Sequence, residues 1–420
     1  MPLLMSAAFG DDLVYQIANI IGDEARAFVN DGVTPMDYWA PHINTCEYPR
    51  WGRGSETPGS DILGIKSYTK SLLAGLEGGQ AQRKIIATCK HYIPMQDLAE
   101  YYMPPFQQCA QASKVRSFVC SYNAVNGVPT CADTYVLQTI LCYHWNWTES
   151  NNYITSDCEA VADVSENHNY TNTLAEYTAV AFSAGMDNSC EYKGSSDIPI
   201  LQNSSVPDNW TTNALHAAQG SDHIISFGGL DTPAAAEGFD RTDISWPGTQ
   251  VELITKLAQL GKPLIVVVLG DMVDNSPLLS MEGVKSVIWT NWSGQDGGSA
   301  VMQVISAVHA VAGRLPIMQY PASYTNLSML DMNLRPDASS PGWTYRWCNR
   351  SVQPFDLGSH YITFAANFGS SEGLTYNIQE TIRNCAQKYS CLFGVPPLEV
   401  AVMNEGNRAL DFVTLAFIKD

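Results

Sequence analysis

Apolar positions along the first half of the chain follow two different spacings. Short continuous apolar runs, typical of strands, occur in KIIATC, RSFVCSY and NYITSD. Elsewhere apolar residues recur every three or four positions, which predicts helices over about residues 9–32, 61–76, 98–112, 135–143 and 173–185. Strands that alternate with helices in this way predict a parallel sheet with helices packed outside it.

Polar side chains stand at the C-terminal ends of these predicted strands. They are Lys90 and His91, Tyr122 and Asn123, and Asp157. A β/α barrel places its active site at this end of its strands. The pattern therefore favours a TIM-like barrel over an open sheet for this part of the chain.

A second α/β segment follows a polar stretch, residues 195–213, that is typical of a linker or a junction. Its predicted strands lie in SDHIISFGG, KPLIVVVLGD and KSVIWTNW, and its predicted helices in PGTQVELITKLAQLG and GGSAVMQVISAVHAVAG. From Leu398, LEVAVMNEGNRALDFVTLAFI alternates like two strands around an Asn-Glu-Gly turn. We therefore expect an α/β chain with a partial barrel over 1–200, an α/β sandwich over 201–365, and a linker with the start of a β domain over 366–420.

Composition narrows the class of protein. The chain has 420 residues, of which 45% are apolar and 15% charged, so it is globular with a large core. Its formal net charge of −19 argues against nucleic acid or an anionic membrane as a partner. An acidic surface fits a soluble extracellular protein with an uncharged or weakly charged substrate. The N-terminal MPLLMSAAFGDD is too short an apolar run for a signal peptide or a membrane span.

Cysteines and sequons indicate an oxidising compartment. The eleven cysteines form no CxxC…CxxC pattern and the eight histidines no HExxH, so no metal site is predicted. Disulfides with one cysteine left over fit better, as in a secreted protein. Seven N-x-S/T sequons agree with this: Asn146, Asn169, Asn203, Asn209, Asn291, Asn326 and Asn349. No GxSxG, P-loop or GxGxxG is present, and no cofactor is expected.

The candidate chemistry is that of two carboxyl groups, as glycoside hydrolysis requires. Asp157 follows the strand YITS and fits the group that attacks or stabilises the anomeric carbon; alternatively it is a helix N-cap. Glu237 lies in the loop FGGLDTPAAAEGFDR and fits the proton donor, or it is a solvated loop carboxylate. Lys90 and His91 are ligand contacts or a surface pair. Arg53, in YPRWGRGSE, is fixed near a ligand or tied to a backbone carbonyl.

A series of motifs covers most of residues 1–365: YPRWGRGSETPG, CKHY, CSYNAVNGVPTCAD, ITSDCEAVADV, AGMDNSCEY, FGGLDTPAAAEGFDR, PLIVVVLGD, NWSGQDGGSA, AGRLPIMQYP, PGWTYRW and PFDLGSHYITF. In this order they resemble glycoside hydrolase family 3, in particular its fungal β-xylosidase branch. The resemblance implies a retaining exo-β-1,4-xylosidase that releases xylose from xylo-oligosaccharides. It also implies a pocket between a barrel-like domain and an α/β sandwich, followed by a fibronectin type III-like domain.

The resemblance assigns roles to individual residues. Asp157 matches the nucleophile of the family and Glu237 its acid/base. The expected substrate-binding residues are Arg53, Lys90 and His91, which would bind sugar hydroxyls, Tyr122, which would pack near the sugar, and Glu159, which would shape a pocket for a pentose. Cys158 is expected to pair with Cys190, and Cys120 with Cys131.

The chain also departs from this family pattern. Relatives start upstream of Met1 with another sugar-binding carboxylate, carry a further loop after Tyr92, and have a large block where residues 199–203 stand here. Roughly five barrel strands are predicted where a closed barrel has eight. Uncovered strand edges would favour instability or association. The alternative hypothesis is therefore a non-catalytic, sugar-binding remnant; α-arabinofuranosidase or β-glucosidase activity is a further alternative within the family.

Overall fold

In a computed structural model, the described residues are 2–79, 82–92, 98–172, 174–190, 209–230, 234–294, 296–329, 331, 333–348, 350–359, 364–368 and 400–405. The chain forms two compact units. The larger unit comprises Met1–Val301 with Arg314–Leu357, and the smaller comprises Met302–Gly313 with Gly358–Asp420. All residues of the candidate site lie in the larger unit.

Two parallel sheets form the framework of the larger unit. Its strands are β1 (Asp37–Tyr38), β2 (Gly78–Gly79), β3 (Gln82–Arg83), β4 (Ile86–Tyr92), β5 (Ser117–Cys120), β6 (Ala124–Val125), β7 (Val128–Pro129), β8 (Tyr153–Ser156), β9 (Ile224–Gly229), β10 (Leu264–Leu269) and β11 (Val284–Asn291). The first sheet has the parallel order β1-β4-β5-β8 and the second the parallel order β11-β10-β9. The six predicted strands in these sheets are confirmed.

Each sheet is built around one largely buried strand. All four residues of β5 are buried, and so are Leu264 and the Val266–Val268 run of β10. Strands covered on both faces by helices carry continuous apolar runs, as these do. Among the described residues the first sheet has four strands, so the partial TIM-like barrel stays a prediction.

Helices surround the sheets. The α-helices are α1 (Pro2–Ser6), α2 (Asp11–Asn30), α3 (Ile62–Glu77), α4 (Met103–Gln107), α5 (Ala160–Glu166), α6 (Leu174–Ser183), α7 (Asn209–Gln219), α8 (Gln250–Ala258), α9 (Ser276–Leu279), α10 (Gly297–Ile305) and α11 (Thr344–Trp347). Wider π-helical turns span Leu98–Tyr102, Gln108–Ser113 and Tyr135–His144. Every helix predicted from apolar spacing is present.

One linker prediction and one helix prediction need correction in their extent. The predicted linker over 195–213 is helical from Asn209 onward, while residues 191–208 lie outside the described part. The helix predicted over residues 297–313 ends at Ile305, since the chain turns into the left-handed region at Ala307.

The face that α2 buries is not its most apolar face. Ala18 and Gly22 pack on α3, and a Cβ on Gly22 would stand only 2.5 Å from the carbonyl oxygen of Leu76. Small residues at a helix contact allow the two backbones to approach closely. The larger apolar residues of the repeat are instead exposed: Leu13, Ile20, Ile21 and Phe28.

Three disulfides lie in the larger unit. Cys120–Cys131 and Cys158–Cys190 are confirmed, and Cys89–Cys109 is an additional bond that was not predicted. Cys46, Cys142 and Cys348 carry free thiols, so the expectation of a single leftover cysteine is wrong for the described residues.

The smaller unit contains an antiparallel pair of strands, β12 (Phe364–Phe368) and β13 (Val400–Asn404). The first strand predicted after Leu398 is confirmed as β13. The strand predicted to follow it lies outside the described residues, and the observed partner β12 was not predicted. Within the described ranges, no helix has both the length and the apolar character needed to cross a membrane.

Candidate active site

The end of the first sheet brings Asp157 to His91. Lys90 and His91 lie at the end of β4, and Asp157 follows β8. In the order β4-β5-β8, only β5 separates these two strand ends. Pairing of β4 with β5 is irregular between Cys89 and Tyr92, and such a bulge redirects the side chains within it. His91 Nε2 lies 3.1 Å from Asp157 Oδ2, and each side chain is only 10% exposed.

Asp157 is not the cap of the following helix. Helix α5 begins at Ala160, and the residue before it is Glu159 in a left-handed conformation (φ 67°). Asp157 Oδ1 instead accepts the backbone N–H of Cys158 at 2.9 Å. The interpretation of Asp157 as an N-cap is therefore wrong.

The protonation states of this pair suit a nucleophile. Burial and the positive charges of Arg53 and Lys90 lower the pKa of His91, so its imidazole is neutral. Burial alone would raise the pKa of Asp157, but the contact with His91, the Cys158 N–H and the nearby Lys90 outweigh it, so the pKa is lowered. His91 and Asp157 make a close contact that is not an aligned hydrogen bond, and Asp157 Oδ2 is buried on the side of His91.

Asn44 holds His91 in place through its backbone. The His91 N–H donates to Asn44 Oδ1 at 2.8 Å, and Asn44 Nδ2 donates to the His91 carbonyl at 3.1 Å. Both groups are buried, so these two bonds fix the end of β4 against the loop after β1.

Glu237 reaches the same place from the loop after β9. Arg53 Nη1 donates to Glu237 Oε1 at 2.5 Å, while Arg53 Nε and Nη2 donate to the two oxygens of Glu56 at 2.8 and 2.9 Å. The Glu237 side chain is 62% exposed and is thus open to a ligand. Arg53 is tied to carboxylates, so the alternative of a backbone-bound structural arginine is wrong.

Glycine at position 52 allows the Glu237 loop to dock. The Gly52 N–H donates to Asp240 Oδ1 at 2.9 Å, and the Arg241 N–H donates to the Arg50 carbonyl at 2.8 Å. A Cβ on Gly52 would lie 2.3 Å from the carbonyl oxygen of Ala236. Only a residue without a Cβ permits this approach.

Lys90 and Tyr122 lie in the fields of both carboxylates. Burial and the repulsion of Arg53 lower the pKa of Lys90, against the opposing charges of Asp157 and Glu237. Burial and the charges of the same two carboxylates raise the pKa of Tyr122. The structure therefore gathers these predicted residues around one point. The side chain of Glu159 is exposed, and its backbone N–H bonds to the Cys190 carbonyl.

A model of the glycosyl hydrolase family 3 C-terminal domain matches residues 20–361. The probable exo-1,4-beta-xylosidase bxlB of Aspergillus fumigatus is 33% identical, with 100% of this chain and 73% of that protein aligned. This chain belongs to glycosyl hydrolase family 3. The exo-1,4-beta-xylosidase bxlB of Emericella nidulans is also 33% identical over 99% of this chain and 73% of that protein. The family membership expected from the motifs is confirmed, and with it a glycosidase.

Two solved structures agree with this fold. A GH3 exo-beta-xylosidase, XlnD, in complex with a xylobiose aziridine activity-based probe superposes with a TM-score of 0.85 at 30% identity, covering 91% of this chain and 69% of that one. A beta-glucosidase from Listeria innocua shares the fold at a TM-score of 0.74 and 15% identity, over 88% of this chain and 71% of that one.

The family alignment also shows that this chain is shorter than its relatives within the matched span. The alignment with the Aspergillus fumigatus protein extends over 564 residues, which exceeds the 420 residues of this chain by 144. It therefore contains positions without a counterpart here. The two expected internal gaps, after Tyr92 and around residues 199–203, stay predictions.

Sequence reasoning missed three residues of this family 3 site. Glu56 stands three positions after Arg53 within a quoted motif, and its opposite charge at that spacing was the available signal. His42 and Asn44 gave no such signal, because their contacts to Glu56 and His91 depend on the path of the chain after β1.

Proposed function

We propose that this chain is a retaining exo-β-1,4-xylosidase that releases xylose from the non-reducing ends of xylo-oligosaccharides. The observation that supports the proposal is that Asp157 and Glu237, from loops of two different sheets, both interact with the charges of Arg53 and Lys90 and with Tyr122. A retaining glycosidase requires two carboxyl groups that face one sugar. The names of the fungal relatives favour xylose as that sugar.

In the proposed reaction Asp157 is the nucleophile. Its ionised carboxylate attacks the anomeric carbon and forms a covalent xylosyl-enzyme, while the oxygen of the leaving sugar takes a proton from Glu237. Water then enters, Glu237 removes its proton, and the glycosyl bond to Asp157 is hydrolysed with overall retention. The neutral imidazole of His91 beside Asp157 supplies no extra positive charge that would weaken the nucleophile.

The cationic side chains of Arg53 and Lys90 are proposed to bind the sugar. Of the five N–H donors of Arg53, two point at Glu56 and one at Glu237, so two are available to sugar hydroxyls. Lys90 adds a half-buried ammonium group, and Tyr122 lies beside both carboxylates. Glu159 is proposed to face the pentose from the rim of the site. We propose no metal ion or cofactor for the reaction.

We also propose that the protein acts outside the cell. Three disulfides in the described part of the chain support an oxidising compartment. The sequons support it as well, and the acidic net charge suits a substrate without charge.

The test is hydrolysis of an aryl β-xyloside and of xylobiose by the wild type, Asp157→Asn and Glu237→Gln. We expect Asp157→Asn to lose turnover of both. Glu237→Gln should chiefly slow xylobiose, because an aryl leaving group needs little protonation. Glu252→Gln is a matched control, since Glu252 is also 62% exposed and is paired with one cation, Lys256.

The outcomes separate the alternatives. Equal activity of all four proteins contradicts the catalytic roles. A wild type that binds xylose but hydrolyses neither substrate favours the non-catalytic, sugar-binding alternative. Faster turnover of an aryl α-arabinofuranoside or β-glucoside would redirect the substrate assignment, and release of α-xylose as the first product would contradict retention.

A further inference from the structure

Glu56 occupies the centre of the contacts behind the two carboxylates. Its carboxylate receives two parallel N–H bonds from Arg53, and His42 Nδ1 lies 3.2 Å from its Oε2. Bidentate arginine–carboxylate pairs fix the plane of the guanidinium as well as its charge. Burial alone would raise the pKa of Glu56, but the bonds from His42 and Arg53 hold it well below its ordinary value.

His42 connects this pair to the other side of the site. Its ring stands edge-on to the ring of His91, with 4.6 Å between centroids. Burial lowers the pKa of His42 to about 3, so the ring is neutral and its Nδ1–H donates to Glu56. A continuous line of contacts therefore joins the proposed nucleophile to the proposed acid/base: Asp157, His91, His42, Glu56, Arg53 and Glu237.

We infer that Glu56 is a positioning residue of the proposed reaction, which holds the Arg53 guanidinium in the plane that serves both the sugar and Glu237. The inference rests on the proposed function. Glu56 uses the two donors of Arg53 that face away from Glu237 and leaves one hydrogen on each terminal nitrogen for a ligand.

The negative charge of Glu56 also offsets the positive charge of Arg53, which binds Glu237 through its other terminal nitrogen. The other titratable and charged groups that face this cluster are His42, Lys90, His91, Tyr122 and Asp157.

The experiment compares Glu56→Gln and Glu56→Asp with the wild type. In Glu56→Gln, kcat/KM for xylobiose is expected to fall about 100-fold, as for a misplaced binding group. Most of that loss should appear as a raised KM, because Arg53 is proposed to bind sugar hydroxyls. Glu56→Asp keeps the charge but shortens the reach, so it should restore part of kcat/KM while KM stays raised.

Two controls separate positioning from stability. Glu77→Gln breaks another arginine–glutamate pair, the buried pair with Arg83, and should lower thermal stability without raising KM. In an Arg53→Gln background, Glu56→Gln should cause little further loss of kcat/KM, since Glu56 acts through Arg53. If Glu56→Gln does not fold, the KM of Glu56→Asp carries the test.

The outcomes distinguish this inference from the proposed function. A wild type without turnover overturns the proposed function, and the role of Glu56 falls with it. If the wild type is active but the losses from Arg53→Gln and Glu56→Gln are additive, the role of Glu56 is overturned and the proposed function stands. An unchanged KM in Glu56→Gln would have the same consequence.

Discussion

Substitution of Gly52 by alanine is the sharpest test of how the two carboxylates are brought together. Gly52 lies where the Arg53 loop contacts the Glu237 loop, and an added Cβ would stand 2.3 Å from the carbonyl oxygen of Ala236 and 2.4 Å from that of Phe239. Both atoms are backbone, so no side chain can rotate away. The loop that carries Glu237 must therefore move.

The size of the effect follows from that overlap. Restoring ordinary contact requires a shift of roughly 1 Å, and a displacement of that size at a catalytic group costs about 100-fold in rate. The bond from the Gly52 N–H to Asp240 would weaken as well, and hydrogen bonds to charged groups contribute about 1.5–3 kcal/mol. Because Asp157 sits on the other sheet, its reactivity should be preserved.

The assay is kcat/KM for xylobiose and for an aryl β-xyloside with a good leaving group. Gly52→Ala should lose about 100-fold on xylobiose and far less on the aryl substrate, since only xylobiose needs proton donation. Gly79→Ala is the matched control, because a Cβ there meets nothing within 4 Å. Full activity of Gly52→Ala on xylobiose would refute the docking argument, and equal losses on both substrates would show general damage.

Three further predictions concern residues behind the site. Burial raises the pKa of Glu47 from 4.5 to about 7, so the native state holds this proton more tightly than the unfolded chain, and the free energy of unfolding falls as the pH rises between those values. Glu47→Gln should remove about 3 kcal/mol of this pH dependence in denaturation experiments. An unchanged pH dependence would contradict the prediction. Asn44→Ala removes both bonds to the His91 backbone and should lower kcat/KM about tenfold or more, whereas unaltered kinetics would show that His91 is held otherwise. Joint replacement of Cys158 and Cys190 by serine removes a disulfide between residues 32 positions apart and should cost about 3 kcal/mol of stability, seen as a lower Tm. The same Tm in the wild type and the double variant would argue against this prediction.

Six of the seven strands in the two parallel sheets could be predicted, because buried parallel strands leave a local signal. Continuous apolar runs such as the one in β10 have no polar face, and polar residues mark the points where such strands end. Asp157 was found in this way, since its position depends on the strand just before it. The bounds of helix α3 also depend on neighbouring residues alone. Asp61 accepts the Gly64 N–H at the start of the helix, and Gly78 ends it.

Spacing alone could not show which helix face is buried or how the loops meet. The apolar repeat of α2 predicts a helix, yet its small residues are the ones that pack, because the close approach to α3 excludes larger side chains. The end of the helix predicted over 297–313 and the disulfide Cys89–Cys109 were likewise decided by the surrounding fold.

The sequence by itself determined the elements, the family motifs and the candidate residues, since each of these depends on neighbours along the chain. Only the tertiary structure decided that Arg53 and Glu237, 184 positions apart, share a hydrogen bond, and that Glu56 and His42 stand behind them. Contacts of this kind arise where two loops close on each other around Gly52, and their geometry is set by the packing of whole sheets and not by any local pattern.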